Sequence, residues 1–429
     1  CHPVSMTHGA VPKEEREKAI QLMTRRSPIV ANFNQINALD RLEFIRIKPF
    51  IVKYRYVPEI LQGESPTIFE FSENRSSFSS WDDIKAKARA WKEAVRPLSL
   101  TASLVPLLLG GALAFSVLHT LNVWLFILTI VGGIMIQAGT NMINDWKDAD
   151  RDNENAEGIR PFTGGSRMIQ LGLVSRADMG FFGMILSAIA AIIGFYLLAV
   201  SGSGLVPLIL YGLLAGVFYT AEKGKFSFIN LAPGLAEFLI ATTFGVLMTM
   251  GAFYVQTRYF SLQAFLISLP VGVFISSVLL INQFQDAESD AKSGKKTLVV
   301  RLGKLKAKNL LIASFIVGYL IIALLPVLGY TTYNIYFAFL SVPFAVQAIR
   351  YAHQNYNKTA VDLISGNAHT AINHLFAGLL LVFAFIFNEL SIVLVALYFV
   401  ASLLFVFWVW RYIERRRKTM NSFRLTMRK

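Results

Sequence analysis

From about residue 98 onward the chain is a succession of apolar stretches of similar length, separated by short polar segments. A helix needs about 20 predominantly apolar residues to cross the roughly 30 Å hydrocarbon core of a bilayer. Stretches of that kind fall near 98–118, 121–143, 177–200, 204–221, 229–252, 261–284, 308–328, 334–351, 369–388 and 390–411. The pattern predicts an all-α integral membrane helical bundle of nine or ten transmembrane helices. Residues 1–84 break it. They are polar, and in "RLEFIRIKPFIVKYRYVPEI" Val52, Tyr54 and Tyr56 alternate with Lys53 and Arg55, which is the period of a β-strand. The division predicted is a small β-rich soluble segment over 1–84 and a membrane domain over 85–429.

Charge chooses between nine spans and ten. With ten, the N-terminal segment, the loops after the second and sixth spans and the tail "RYIERRRKTMNSFRLTMRK" share one side, and the opposite side keeps Arg258 alone. Lys and Arg concentrate on cytoplasmic loops, so the crowded side is predicted to face the cytoplasm, with the protein multi-pass in the inner (cytoplasmic) membrane. Nine spans would put the basic tail on the far side.

Composition agrees with a lipid setting. Of 429 residues, 54% are hydrophobic and 16% charged, against about 25% charged in soluble domains. The net charge of +14 raises nucleic acid as a partner. The cations flank apolar spans rather than lining a soluble face, so no nucleic acid is expected and the bilayer is the partner. Cys1 is the only cysteine, which excludes a disulfide framework or a thiolate metal site within one chain. An opening Cys in place of Met reads as a truncated or processed chain.

The candidate chemistry sits where two spans end. "NMINDWKDADRD" (141–152) places four aspartates within eight residues after the second span, and "LLINQFQDAESDAKSGKKTL" (279–298) repeats the arrangement after the sixth. On a continuing helix Asp145, Asp148 and Asp152 stand at i, i+3 and i+7, with Asn141 one turn earlier. Asn282, Asp286 and Asp290 stand at i, i+4 and i+8. Such columns of carboxylates repel one another and are costly near lipid. A divalent cation removes the repulsion, and oxygen-only ligands point to Mg²⁺, which typically joins a few carboxylates to substrate phosphates. A single such column would read as an ordinary solvated loop; two of them opening on one face do not.

Cations follow each column: Arg160 and Arg167 after the first, Lys295, Lys296 and Arg301 after the second, and Lys223 and Lys225 in "YTAEKGKF". Lys223, Lys295 and Arg301 are read as partners of a diphosphate, whereas the lysines over 304–308 are read as a topological flank. Gly164 and Gly165 in "PFTGGSR" would let backbone N–H groups approach phosphate oxygens.

The motif Asn144-Asp145-x-x-Asp148-x-x-x-Asp152 resembles the NDxxDxxxD signature of the UbiA superfamily of intramembrane prenyltransferases, and Asp286-x-x-x-Asp290 resembles that family's DxxxD. "INQFQDAESDAKSGKKTLVVRLG", "WKEAVRPLSLTASLVPLLLGGALA", "FYTAEKGKFSFINLAPGLAEFLIATTFG" and "DLISGNAHTAINHLFAGLLLVFAF" are similar to the branch that prenylates 1,4-dihydroxy-2-naphthoate in menaquinone synthesis. The similarity covers roughly 89–388. Gln285 departs from it, standing where the branch commonly has Arg. The resemblance implies a polyprenyl diphosphate donor, an aromatic acid acceptor and Mg²⁺. It implies Asp145, Asp148, Asp152, Asp286 and Asp290 at the metal, with Asp145, Asp148, Asp286 and Lys223 catalytic. Asn144, Arg160, Lys223, Asn282, Lys295, Arg301 and Tyr219 would meet the diphosphate, Tyr219 also shielding an allylic cation. Other aromatic acceptors, 4-hydroxybenzoate among them, stay open. So does a non-enzymatic transporter, whose acidic groups would lie near the bilayer midplane. The N-terminal strand-rich piece resembles the end of a flavin-binding split barrel and is otherwise read as a soluble appendage.

Overall fold

The computed structural model of the chain describes residues 2–10, 45–54, 67–70, 81–149, 165–170, 172–220, 228–292, 294–359 and 362–427. Asp152, Arg160 and Lys223 lie outside the described residues, as does Tyr56 of the alternating run. Two compact units are present: residues 1–91 with 167–176, and residues 92–166 with 177–429.

In the first unit three strands form an antiparallel sheet in the order β1 (His2–Ala10), β2 (Ile45–Tyr54), β3 (Thr67–Glu70). β2 is central: His2 pairs with Lys53 and Ala10 with Ile45, while Ile51 faces Glu70 and Tyr54 faces Thr67 on the other side. The β1–β2 register slips around Ser5, next to the Met6–Pro49 pair. Proline has no N–H for the ladder, so a slip beside it is expected.

The second unit is a helical bundle. It follows α1 (Trp81–Val95) with α2 (Thr101–Leu118), α3 (Val123–Lys147), α4 (Arg176–Ser201) and α5 (Leu205–Thr220). Next come α6 (Leu235–Thr257), α7 (Leu262–Lys292) and a short α8 (Leu298–Leu302). The last are α9 (Lys304–Val327), α10 (Tyr333–Asn355), α11 (Ile364–Ile386) and α12 (Ile392–Met427). Among the described residues nine helices are long and apolar enough to cross a membrane, so the chain is a multi-pass membrane protein.

The shorter α5 runs back along α6, with Gly204 N–H donating to the Tyr254 hydroxyl at one end and Tyr211 paired with Thr242 further along. Hydrogen bonds gather one set of helix ends. Asn122 N–H donates to Gln256 Oε1 (2.9 Å), Ser201 Oγ to the Val255 carbonyl (3.2 Å), Arg258 to the Val200 carbonyl (3.1 Å) and Gln263 to the Tyr330 carbonyl (2.8 Å). His119 Nδ1 lies 2.7 Å from Glu389 Oε2 at the same end. α4 therefore finishes beside the last turn of α6, and the chain must return before α6 can begin. At about 1.5 Å per residue, the 16 residues of α5 run about 24 Å in the returning direction. Counted so, Asp145, Asp286 and the α12 residues near Tyr412 all lie at the other end, called here the acidic end. Tyr412 donates there to both carboxylate oxygens of Glu93 (3.0 and 2.8 Å).

α11 is the central post. The bundle buries 89% of its membrane-length window, against 17% for α4. Lipid tails are as apolar as leucine, so close packing of small residues rather than hydrophobic contrast holds such helices together. A methyl group at Gly110 would overlap the Thr249 carbonyl of α6, and one at Gly245 would overlap the Gly272 backbone of α7. Gly245 lies in the stretch Ala241–Leu247, where α6 becomes a π-helix. That widened turn is what meets α7, and nothing in the local sequence announces it.

Candidate active site

The first acidic motif is built by the connector between α1 and α2. Pro97 disfavours right-handed helix at the residue before it, and Arg96 accordingly ends α1 in the left-handed region with φ +56°. Ser99 fixes that turn, its amide and hydroxyl both donating to the Arg96 carbonyl at 2.9 Å. The turn delivers the Arg96 guanidinium to Asp145 Oδ1, and Ser166 N–H donates to Asp145 Oδ2 at 3.1 Å. Asp145 is 5% exposed, so both oxygens of a nearly buried carboxylate have protein partners. Gly165, at φ +75°, bends the chain so that the next amide reaches Asp145. The Ser166 N–H, after the glycine pair, thus meets a carboxylate.

Asn141 is likewise committed. Its Nδ2 donates to the Val95 carbonyl (3.2 Å) and to Ser99 Oγ (2.8 Å). One turn deeper, Gln137 donates to the Ser99 carbonyl (2.6 Å) and accepts from Ser103. The amide nitrogen of Asn141 thus ties α3 to the connector. Asp148 caps α3, its N–H donating to the Asn144 carbonyl at 2.9 Å, and its side chain is partly exposed, as is Asn144.

The second motif stays helical throughout, because α7 runs on to Lys292. Asn282 and Asp286 are partly exposed on one face, while Gln283, Phe284 and Gln285 between them are buried. Asn367 of α11 donates to Asn282 Oδ1 (2.6 Å) and accepts from Gln285 Nε2 (3.1 Å). Three amides thus form a chain behind the column, and Gln285 turns toward α11. Asp290 is buried at 9% exposure, with Lys295 Nζ 3.9 Å from its Oδ1.

The other expected cations divide. Arg301 donates to the Lys296 carbonyl (2.9 Å) and the Asn230 carbonyl (2.7 Å), and Asn230 Oδ1 accepts from Lys296 N–H (2.8 Å). These bonds clamp the loop after α7 onto the helical turn Phe228–Leu231. Gln283 supports the same corner, donating to Glu237 of α6 and accepting from Val299 N–H. Tyr219 lies in α5 with its side chain outside the described set, and Lys223 and Arg160 lie outside it altogether.

Among the described residues no three His, Cys, Asp or Glu side chains converge into a metal cluster; Asp152 is not among them. The donors at the acidic end are carboxylate and amide oxygens, a set that fits a hard divalent cation retaining waters. Two residues were not singled out from the sequence. Arg96 read as one more flanking cation, although an Arg-Pro pair just before an apolar span is a local signal of a bent, inward-turned cation. Asn367 read as the approach to the ninth span, whose helix begins earlier, at Ile364.

The sequence pattern of the UbiA prenyltransferase family matches residues 103–365. A 1,4-dihydroxy-2-naphthoate octaprenyltransferase of Bacillus subtilis (strain 168) is 30% identical over 300 residues, covering 67% of this chain and 89% of that protein. A 2-carboxy-1,4-naphthoquinone phytyltransferase of Synechocystis sp. is 27% identical over 299 residues, covering 69% of this chain and 92% of its own length. In three dimensions the chain is similar to a UbiA homologue from Archaeoglobus fulgidus solved with GPP and Mg²⁺, with a TM-score of 0.50 at 13% identity over 68% of this chain and 99% of that one. That likeness is one of fold.

Proposed function

The chain belongs to the UbiA prenyltransferase family and is a prenyltransferase, and from that premise we propose that it transfers a polyprenyl group from polyprenyl diphosphate to 1,4-dihydroxy-2-naphthoate, with loss of CO₂. The observation that carries the reading is the placement of two acid-bearing helix ends, α3 and α7, at one end of the bundle, each braced from behind. The named relatives that act on naphthoate compounds support this acceptor. Mg²⁺ would be held by Asp145, Asp148, Asp152, Asp286 and Asp290, and when bound it would supply positive charge for the departing diphosphate.

The protein's own groups do the rest. Lys295, Lys223 and Arg160 neutralise the diphosphate, and Asn144 and Asn282 orient it. Asp145 keeps the Arg96 cation at the rim, where a low-dielectric setting makes its field effective. The allylic C–O bond breaks with its electron pair leaving on the diphosphate. The carboxyl-bearing ring carbon then bonds to the allylic carbon, CO₂ departs, and the pair it leaves restores the aromatic ring. Tyr219 shields the allylic cation, and Lys223 or Arg160 pairs the acceptor's carboxylate beforehand. Arg301 holds the loop that presents Lys295. The basic flanks support an orientation with this end toward the cytoplasm, in the inner membrane.

The test is a competition assay on membranes carrying the chain. 1,4-Dihydroxy-2-naphthoate and 4-hydroxybenzoate are offered together with labelled polyprenyl diphosphate, and CO₂ is collected. The naphthoate product with one CO₂ per prenyl transfer is expected. Preference for the benzoate, or transfer without CO₂, overturns the acceptor.

A further inference from the structure

We propose that a cleft between α10, α11 and α12 at the acidic end binds an anionic phospholipid, its phosphate on Arg350 and the hydroxyls of its headgroup on Glu414. The cleft holds about 440 Å³, within the usual range for small-ligand sites. It is separate from the prenyl-transfer site. Asn367, which faces α7, and His369, which lines the cleft, are two residues apart on α11, hence about 200° apart around the helix. Its third wall, with Trp410 and Glu414, comes from a helix beyond the matched family pattern.

Three features choose the occupant. The first is depth: the cleft sits where the apolar run of α12 gives way to "RYIERRR", the level of lipid headgroups. The floor is aromatic, the His369 ring packing against Tyr351 (5.2 Å between centroids) and Trp410 (5.1 Å), with Nδ1 2.7 Å from the Ser365 carbonyl. Tyr and Trp are favoured at that level because an apolar body carries a polar tip. The second is charge. Arg350 is exposed and has no ion-pair partner among the described residues, so a phosphate can take its planar, forked donors. The third is the apolar flank beneath. Val346, one turn deeper than Arg350, is 54% exposed, and Phe407, one turn deeper than Trp410, is 60% exposed. A ligand with its head at Arg350 has room for acyl chains along these side chains. A free phosphate would use the first half of this surface and leave the second unexplained. A carboxylate in the wall favours a headgroup rich in hydroxyl donors, since its oxygens only accept.

The experiment is native mass spectrometry of the full detergent-solubilised chain with phosphatidylglycerol, phosphatidylcholine and phosphatidic acid, in separate and paired additions. Phosphatidylglycerol adducts should exceed phosphatidylcholine adducts by roughly fivefold, the worth of one arginine at an anionic lipid surface. Arg350→Gln should bring the two to parity. Arg411→Gln, exposed on α12 outside the cleft, should leave the preference intact. Glu414→Gln should abolish the preference for phosphatidylglycerol over phosphatidic acid while keeping the preference over phosphatidylcholine. An unchanged ratio in Arg350→Gln, or an equal loss in Arg411→Gln, overturns the site. Displacement of bound lipid by millimolar glycerol 3-phosphate overturns the lipid assignment, because the acyl half would then contribute nothing.

Discussion

The two aspartate motifs look like copies in the sequence and are held in opposite ways. Asp145 is gripped by charge: the guanidinium of Arg96 on one oxygen and a backbone N–H on the other, both from segments outside its own helix. The α7 column is braced by neutral amides, Asn282, Asn367 and Gln285 linked in series through α11. A charged brace creates dependence, since Asp145 without Arg96 would be a nearly buried ion lacking its counter-charge. An amide chain fixes direction and adds no charge that would compete with an incoming cation. The first motif thus ties its carboxylate to segments outside α3, while in the second the amide chain sets the direction of Asn282 and Lys295 lies 3.9 Å from Asp290.

The sharpest test of this contrast is Asp286→Ala. Turnover should fall by about 10³-fold, the scale seen when one electrostatic contact to a developing charge is removed, while the thermal midpoint in detergent stays unchanged. A Mg²⁺ titration of the residual activity should shift to higher concentration. A loss of stability equal to the loss of activity would show that α7 is braced like α3. Asp145→Ala should behave differently, costing about 3 kcal/mol of stability because Arg96 is left behind. Arg96→Gln combined with Asp145→Asn should recover much of that loss, a coupling that a double-mutant cycle on thermal unfolding would read. Additive losses would mean that the pair is incidental. The smallest effect is expected of Asn367→Ala. Two amides lose their shared partner, for about 1–2 kcal/mol of stability, and turnover should drop roughly tenfold, since a tenfold change corresponds to about 1.4 kcal/mol. An Asn367→Ala protein with full activity would remove the amide chain from the account.

What could be read in advance follows the range of the interaction. Apolar runs long enough for lipid announce each helix locally, and acid residues four apart announce a shared face, so the bundle and α7's column were legible. Charge placement favoured ten spans; at the extra position the chain forms α5, an apolar helix of 16 residues, shorter than the nine of membrane length. Partners distant in sequence were hidden. Arg96 and Asp145 are 49 residues apart, and Asn367 and Asn282 are 85 apart. Apart from the proline after Arg96, the chain carries no signal of which cation turns inward and which stays with the lipid headgroups. Arg301, which the sequence offered to a diphosphate, also closes a loop through two backbone carbonyls, a role no local pattern announces.

The hydrogen bonds that gather the helix ends opposite the acidic motifs have an electrical consequence. They join α2 to α11, α3 to α6, α4 to α6 and α7 to the turn after α9. Moving one elementary charge fully across a membrane held at 100 mV changes its energy by about 2.3 kcal/mol. A site whose carboxylates lie at one end of a bundle tied together at the other sits outside most of that drop. A diphosphate that entered and left at that end, as the proposed reaction requires, would move no charge through the field. On the proposed reaction, prenyl transfer would neither draw on a transmembrane voltage nor dissipate it.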